Sequence, residues 1–176
     1  MRKLLFIVIL LGIVALGFYA YMNSRPTENS QAPTSDSSPS PANATFVFDE
    51  GTITLSAGKS IQKEDGIVDE VTLLEERSSG DLNNDGKPDS AVLLARSGGG
   101  SGVFVYVAAF VSGPVSYKGT KAIYLGDRVS PQLIDIEGGV VTVRYLDRED
   151  DEALAAEPTV PVTKEFVYKN GEFVER

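Results

Sequence analysis

The sequence predicts a mainly β protein: one antiparallel domain, a meander or sandwich over residues 44–176, behind an N-terminal transmembrane helix (1–22) and a disordered linker (23–43). Three observations predict it. Apolar residues recur at every second position after residue 44, turn-forming pairs separate the alternating runs, and an uncharged N-terminal stretch is long enough to cross a bilayer.

The N-terminal stretch runs from Leu4 to Met22 without a charge, which as a helix spans about 28 Å. Arg2 and Lys3 precede it, and only Arg25, offset by Glu28, follows closely. The positive-inside rule therefore puts the N-terminus in the cytoplasm and everything after residue 23 in the periplasm or at the cell exterior. A cleaved signal peptide is the competing reading, because Ala15-Leu16-Gly17 offers small residues at a peptidase spacing. Either way the domain is exported, and the membrane is engaged through residues 4–22.

Residues 23–43 change to Ser, Pro, Thr, Asn and Gln, with Pro26, Pro33, Pro39 and Pro41. Such a segment has too little apolar surface to offset its ordering entropy, so it reads as a tether, with a root-mean-square span of about 25 Å.

In the domain, Thr52-Ile53-Thr54-Leu55 alternates, as do Ile134 and Ile136 with Asp135 and Glu137, and Val141, Val143 and Tyr145 with Thr142 and Arg144. These are half-buried antiparallel strands. Glu50-Gly51, Gly138-Gly139 and Asn170-Gly171 supply hairpin turns. Ala91–Ala95 and Val103–Val111 are almost wholly apolar, as expected of central strands covered on both faces. Between them, residues 97–102 (Ser-Gly-Gly-Gly-Ser-Gly) read as a mobile hairpin loop. One helical stretch of a turn or two is expected at Asp150–Glu157, where Ala and Leu follow acidic residues.

Composition excludes several functions. The chain has no Cys and no His, so it can form no disulfide, no Cys/His zinc site, no Ser-His-Asp or Cys-His catalytic pair and no lipidated cysteine. Residues 44–176 hold 13 Lys and Arg against 23 Asp and Glu, a net charge of −10. That surface repels phosphate backbones, and nucleic acid is not an expected partner.

Most of the chemistry lies in residues 80–89, Gly80-Asp81-Leu82-Asn83-Asn84-Asp85-Gly86-Lys87-Pro88-Asp89. Asp81, Asn83, Asp85 and Asp89 bring side-chain oxygens to positions 1, 3, 5 and 9, and the backbone carbonyl of Lys87 takes position 7. A hard cation such as Ca²⁺ needs six to eight oxygens, and a tightly wound loop with ligands on alternate residues points them inward. Gly86 permits the sharp turn, Pro88 stiffens the exit, and Leu82 is placed to anchor the loop in the core. Position 12 is Val92, so the loop is not an EF-hand. The remaining ligands fall to water or to Glu75, Glu76 or Asp127. A plain Asx-rich turn without an ion is the competing reading. Only Asp81, Asp85 and Asp89 bring charge, which implies an affinity of about 10⁻⁴ to 10⁻³ M, that of a structural staple.

This loop resembles the calcium loops of dockerin modules and of FG-GAP type propeller repeats. It occurs once, whereas a propeller needs at least four blades. The wider pattern takes in residues 89–94, Gly99-Gly100-Ser101-Gly102, residues 105–109, Leu125-Gly126-Asp127-Arg128, Tyr145, Asp147-Arg148, Pro158 and Val160. It is similar to a group of uncharacterised exported bacterial proteins that carry one such domain behind a signal or anchor. The resemblance implies export and a single domain, and no activity. Asp127 and Arg128 read as an ion pair at a strand end or as the lining of a ligand cleft.

Two functions follow. One is a calcium-stabilised, membrane-displayed domain that binds an envelope protein or glycan through loops on a rigid sheet. The alternative is an envelope hydrolase using paired carboxylates or calcium. A third reading, an accessory subunit of a membrane complex, rests only on Gly12 and Gly17 in the apolar stretch.

Overall fold

The computed structural model describes residues 39–176, so the expected transmembrane helix (1–22) and residues 23–38 of the expected linker lie outside the described residues. The described chain is mainly β and antiparallel. Its strands are β1 (Thr45–Phe48), β2 (Gly51–Thr54), β3 (Lys59–Glu64), β4 (Ile67–Gly80), β5 (Asp89–Gly98), β6 (Phe104–Val111), β7 (Lys118–Gly119), β8 (Ile123–Asp127), β9 (Ser130–Glu137), β10 (Val140–Asp147), β11 (Val160–Lys169) and β12 (Glu172–Glu175).

Most strands pair with a neighbour in sequence, as short polar turns between alternating runs require. One meander is β3-β4-β5-β6, with β7 and β8 both pairing β6; a second is β9-β10-β11-β12; β1 and β2 form a separate hairpin. Val140 lies opposite Glu137 across Gly138-Gly139, and Lys169 opposite Glu172 across Asn170-Gly171. In the first hairpin Phe48 pairs with Gly51, so the turn itself is Asp49-Glu50.

The centre is the β5–β6 pair, and each face of it meets a different cover. Ala91, Leu93, Val105, Val107, Ala109 and Val111 pack against Ile134, Val141, Val143, Tyr145, Phe166 and Phe173 of the β9–β12 sheet. On the other face, Val92, Leu94, Ala108 and Phe110 pack under Phe46, Phe48, Ile53 and Leu55 of the β1–β2 hairpin. Adjacent strand residues point to opposite faces, so an apolar run without alternation needs two covers. A fully buried Val, Leu or Phe contributes roughly 1.5–3 kcal/mol, which makes this pair the main source of stability. Full cover does not reach the start of β6, where Phe104 remains exposed.

Two segments differ from the sequence expectation. Asp150–Glu157 forms no helix; bonds from Glu152 N to Glu149 O and from Ala156 N to Ala153 O make two successive turns. The Arg148 guanidinium takes the Ala156 carbonyl and Thr159 N donates to Asp147 O, which fixes the ends of this loop against the sheet. Pro41–Asn43, read as the end of the linker, is a 3-10 turn capped by Ser40. It is tied to the domain because Gly58 N donates to Ala42 O and Ala57 N to Asn43 Oδ1.

Asp127 and Arg128 form the expected ion pair, 3.6 Å apart, but their stronger contacts are with the glycine-rich loop. Asp127 Oδ1 accepts from Val103 N, and the Arg128 guanidinium donates to Ser101 O and Oγ. The second sheet is pinned to β8 in a similar way, because the buried Tyr145 hydroxyl donates to Leu125 O at 3.3 Å.

Close approach at Gly119 gives a direct test. A Cβ there would meet the Thr45 carbonyl and the Phe46 ring, whereas one at Gly100 meets only Gly98 O at 3.9 Å. Gly119→Ala is expected to destabilise the protein by about 1–3 kcal/mol in urea unfolding and Gly100→Ala to have little effect. Alkaline pH gives a second. Burial pushes the Tyr145 phenol up to about 12 from an ordinary 10.0, so the folded state holds this proton more tightly than the unfolded one. Its contribution is intact below pH 10 and is lost as pH rises towards 12; Tyr145→Phe should show a shallower decline over that window.

Candidate functional site

The loop 81–89 joins β4 to β5 at one end of the larger sheet. Its conformation follows from side chains that accept bonds from the loop's own backbone. Asp81 accepts from Asp85 N at 3.2 Å and from Gly86 N at 2.9 Å; Asn83 Oδ1 accepts from Asp85 N at 3.0 Å; Asp85 Oδ1 accepts from Lys87 N at 2.9 Å. These are Asx-type turns in series, which wind the chain tightly. Asn84 (φ 60) and Gly86 (φ 81) take the left-handed conformations the winding needs. Leu82 is buried in the core, as expected for the anchor of the loop.

Asp89 differs from the others. It is fully buried, and its two oxygens accept from Leu82 N at 2.9 Å and Ser112 N at 2.8 Å, closing the loop and tying it to the end of β6. Ser112 is the residue sequence reasoning missed. Its hydroxyl donates to Asp85 Oδ2 at 2.5 Å, while Asn83 Nδ2 donates to Ser112 O at 2.8 Å. The available signal was its place as the first polar residue after the Val103–Val111 run, but no spacing rule links it to a loop more than twenty residues earlier. The Ser112 bond and the Lys87 N–H hold the Asp85 carboxyl below its ordinary value. Lys87 Nζ stands 3.8 Å from Asp85 Oδ2, a loose and exposed contact.

Every donor set out in the loop is oxygen, the chemistry a hard cation requires. Among the described residues no three Asp or Glu side chains gather as a ready-made metal group. Asp81 and Asn83 converge on one backbone group, both accepting from Asp85 N, while Asp85 Oδ1 takes Lys87 N and Oδ2 the Ser112 hydroxyl. Of the residues proposed to complete the shell, Asp127 pairs with Phe104, while Ser90 beside the loop pairs with Phe110. Six residues of strand, roughly 20 Å, separate the two ends. Glu75 and Glu76 fall in the irregular stretch of β4 between Leu73 and Arg77, and Glu75 borders a groove with Gly58 and Lys59.

At the opposite end of the sheet an open cleft of about 630 Å³ lies beyond the tip of the β1–β2 hairpin. It continues the face that the hairpin covers. Along β6, Ala108 and Phe110 are buried under the hairpin, Tyr106 is half-buried, and Phe104 is exposed. Tyr124 of β8 stands beside them, 5.5 Å from the Tyr106 ring and 6.2 Å from that of Phe104. The floor is polar. Arg96 gives Nε and Nη2 to Asp69 at 3.0 and 2.9 Å and Nη1 to Glu50 at 2.6 Å. Its bond to Arg96 holds Glu50 below the ordinary carboxylate range, while burial pushes the Tyr106 and Tyr124 phenols up.

Neither protein-family models, nor curated proteins, nor solved structures yield a match to this chain. What it does is therefore argued from its own geometry.

The double duty of Asp89 is testable without any metal. Asp89→Ala leaves the N–H groups of Leu82 and Ser112 without their acceptor, and should cost at least about 2 kcal/mol in urea unfolding measured in chelator.

Proposed function

We propose that the chain is a non-catalytic binding module, anchored through residues 4–22 and displayed outside the cytoplasm, whose β domain is stapled by calcium at the loop 81–89. The observation that carries the calcium reading is the loop's winding. Asp81 and Asn83 turn their oxygens onto the loop's own backbone N–H groups, and Ser112 braces the Asp85 carboxylate from the end of β6. The side chains of Asp81, Asn83 and Asp85 and the Lys87 carbonyl would hold the ion, with water completing the shell and Asp89 closing the loop behind it. A carboxylate has about four acceptor positions, so an oxygen already bonded to a backbone N–H keeps capacity for a cation. The ion would supply charge neutralisation and cross-linking and no bond-making chemistry.

The binding reading is supported by the aromatic cleft, where exposed rings and a polar floor meet on a rigid sheet. Its carboxylates are engaged in ion pairs, Asp69 and Glu50 with Arg96 and Asp49 with Lys121. A hydrolase needs one carboxyl kept protonated near neutral pH, and Glu50 is shifted the other way. An envelope protein or glycan remains the class of partner this reading calls for.

Thermal melts of the full chain in nonionic detergent, with millimolar calcium or with chelator, test the staple. Calcium should stabilise the wild-type domain by about 0.4–1.4 kcal/mol, and Asp85→Ala should abolish the difference. Superimposable wild-type melts under the two conditions would remove the metal from the proposal.

A further inference from the structure

The cleft beyond the hairpin tip is where the sheet's apolar face runs out from under its cover. The β1–β2 hairpin ends at Asp49-Glu50, and its Glu50 is the residue that reaches Arg96. Past that point Phe104 and Tyr124 are 37 % and 50 % exposed, and Ile67 on the opposite rim is 56 % exposed. Aromatic faces carry negative quadrupole charge, so they attract an organic cation and the alkyl stem behind it.

The charges point the same way. The lining holds three carboxylates, Asp49, Glu50 and Asp69, against the single guanidinium of Arg96. Lys121, outside the lining, balances Asp49 at 2.7 Å. One negative charge is left over after Arg96 and Lys121 are counted; Asp49 and Glu50 both face solvent, with side chains 78 % and 66 % exposed, and Arg96 is shared between Asp69 and Glu50. Only Oε2 of Glu50 is bonded to Arg96. Residues 44–176 carry a net charge of −10, so the long-range field also draws cations inward.

A free amine would use one ring and one carboxylate and leave the apolar rim wet. Ile67, Phe104 and Tyr124 together offer contact beyond a single charged group. We infer that this cleft takes a lysine or arginine side chain presented by a basic segment of a partner polypeptide, the cation lying between the Phe104/Tyr124 rings and Glu50. This inference rests on the binding-module reading and is independent of calcium, since loop 81–89 lies at the other end of the sheet.

The test titrates the full chain, in nonionic detergent, with a ten-residue Lys/Gly peptide by calorimetry, in calcium and in chelator. Two further ligands and three variants accompany it: the same peptide with every lysine acetylated, n-butylammonium, and the variants Tyr124→Ala, Glu50→Gln and Glu172→Gln. Acetylation removes the charge and keeps the stem, and should weaken binding at least about fivefold, while Tyr124→Ala and Glu50→Gln each weaken it about 2- to 5-fold. Glu172→Gln, on β12, should leave it unchanged. No saturable binding, equal binding of the acetylated peptide, or equal loss in all three variants would overturn the inference, the last by reducing it to general attraction to an acidic surface. Butylammonium binding as tightly as the peptide would also overturn it, by giving the cleft to small amines. Loss of the calcium effect on melting with peptide binding intact would remove the staple alone, so the two proposals fail separately.

Discussion

Burying both faces of the β5–β6 pair is the constraint from which the rest of the domain follows. Its unalternating residues place Ala91 and Leu93 on one side and Val92 and Leu94 on the other, all fully buried. A two-stranded ribbon with two apolar faces needs two covers, and the chain supplies one before it and one after it. The covers differ in length, and that difference shapes the surface. The four-stranded meander is long enough to bury Val105 as well as Val111, whereas the hairpin stops at Asp49-Glu50. Phe104, Tyr106 and Tyr124 are therefore open because their cover ends.

The other end of the same pair meets the loop. Asp89 opens β5 and Ser112 follows β6, so the bonds from Ser112 N to Asp89 and from Ser112 Oγ to Asp85 join the loop to the register of the central strands. Whatever tightens this loop tightens the exit of β6. An ion there would act on stability first, since the cleft lies roughly 20 Å away along strands that are buried on both faces.

The sequence made legible what depends on local chemistry. The Gly138-Gly139 and Asn170-Gly171 hairpins, the half-buried alternation of Val141, Val143 and Tyr145, and the left-handed turns at Asn84 and Gly86 all follow from single residues or neighbours. Two features were illegible because they depend on distant partners. Asp150–Glu157 has the composition of a helix start, but it forms two successive turns, with Arg148 holding the Ala156 carbonyl and Thr159 N bonded to Asp147 O beyond it. Ser112 belongs to the loop only because β6 runs antiparallel to β5 and ends beside Asp89, a fact of register that no motif encodes. Glu75, Glu76 and Asp127 were named as completing ligands by residue type alone, and Asp127 serves the glycine-rich loop instead.

The arginines explain how so acidic a domain holds together. Arg96 is bound by Asp69 and Glu50; Arg128 donates to the carbonyls of Ser101 and Leu154; Arg148 donates to those of Ala156, Asp127 and Arg128. Guanidinium groups suit this work because their rigid fork of donors can satisfy several oxygens at once and is more weakly hydrated than an ammonium. These bonds hold the guanidinium groups in place without cancelling their charge, and residues 44–176 still carry a net −10, so the outward field of the domain is negative. Such a field repels anionic lipid headgroups and phosphate backbones alike, and the neutral groups it leaves uncovered, the rings of Phe104 and Tyr124, are those whose faces also prefer a positive partner.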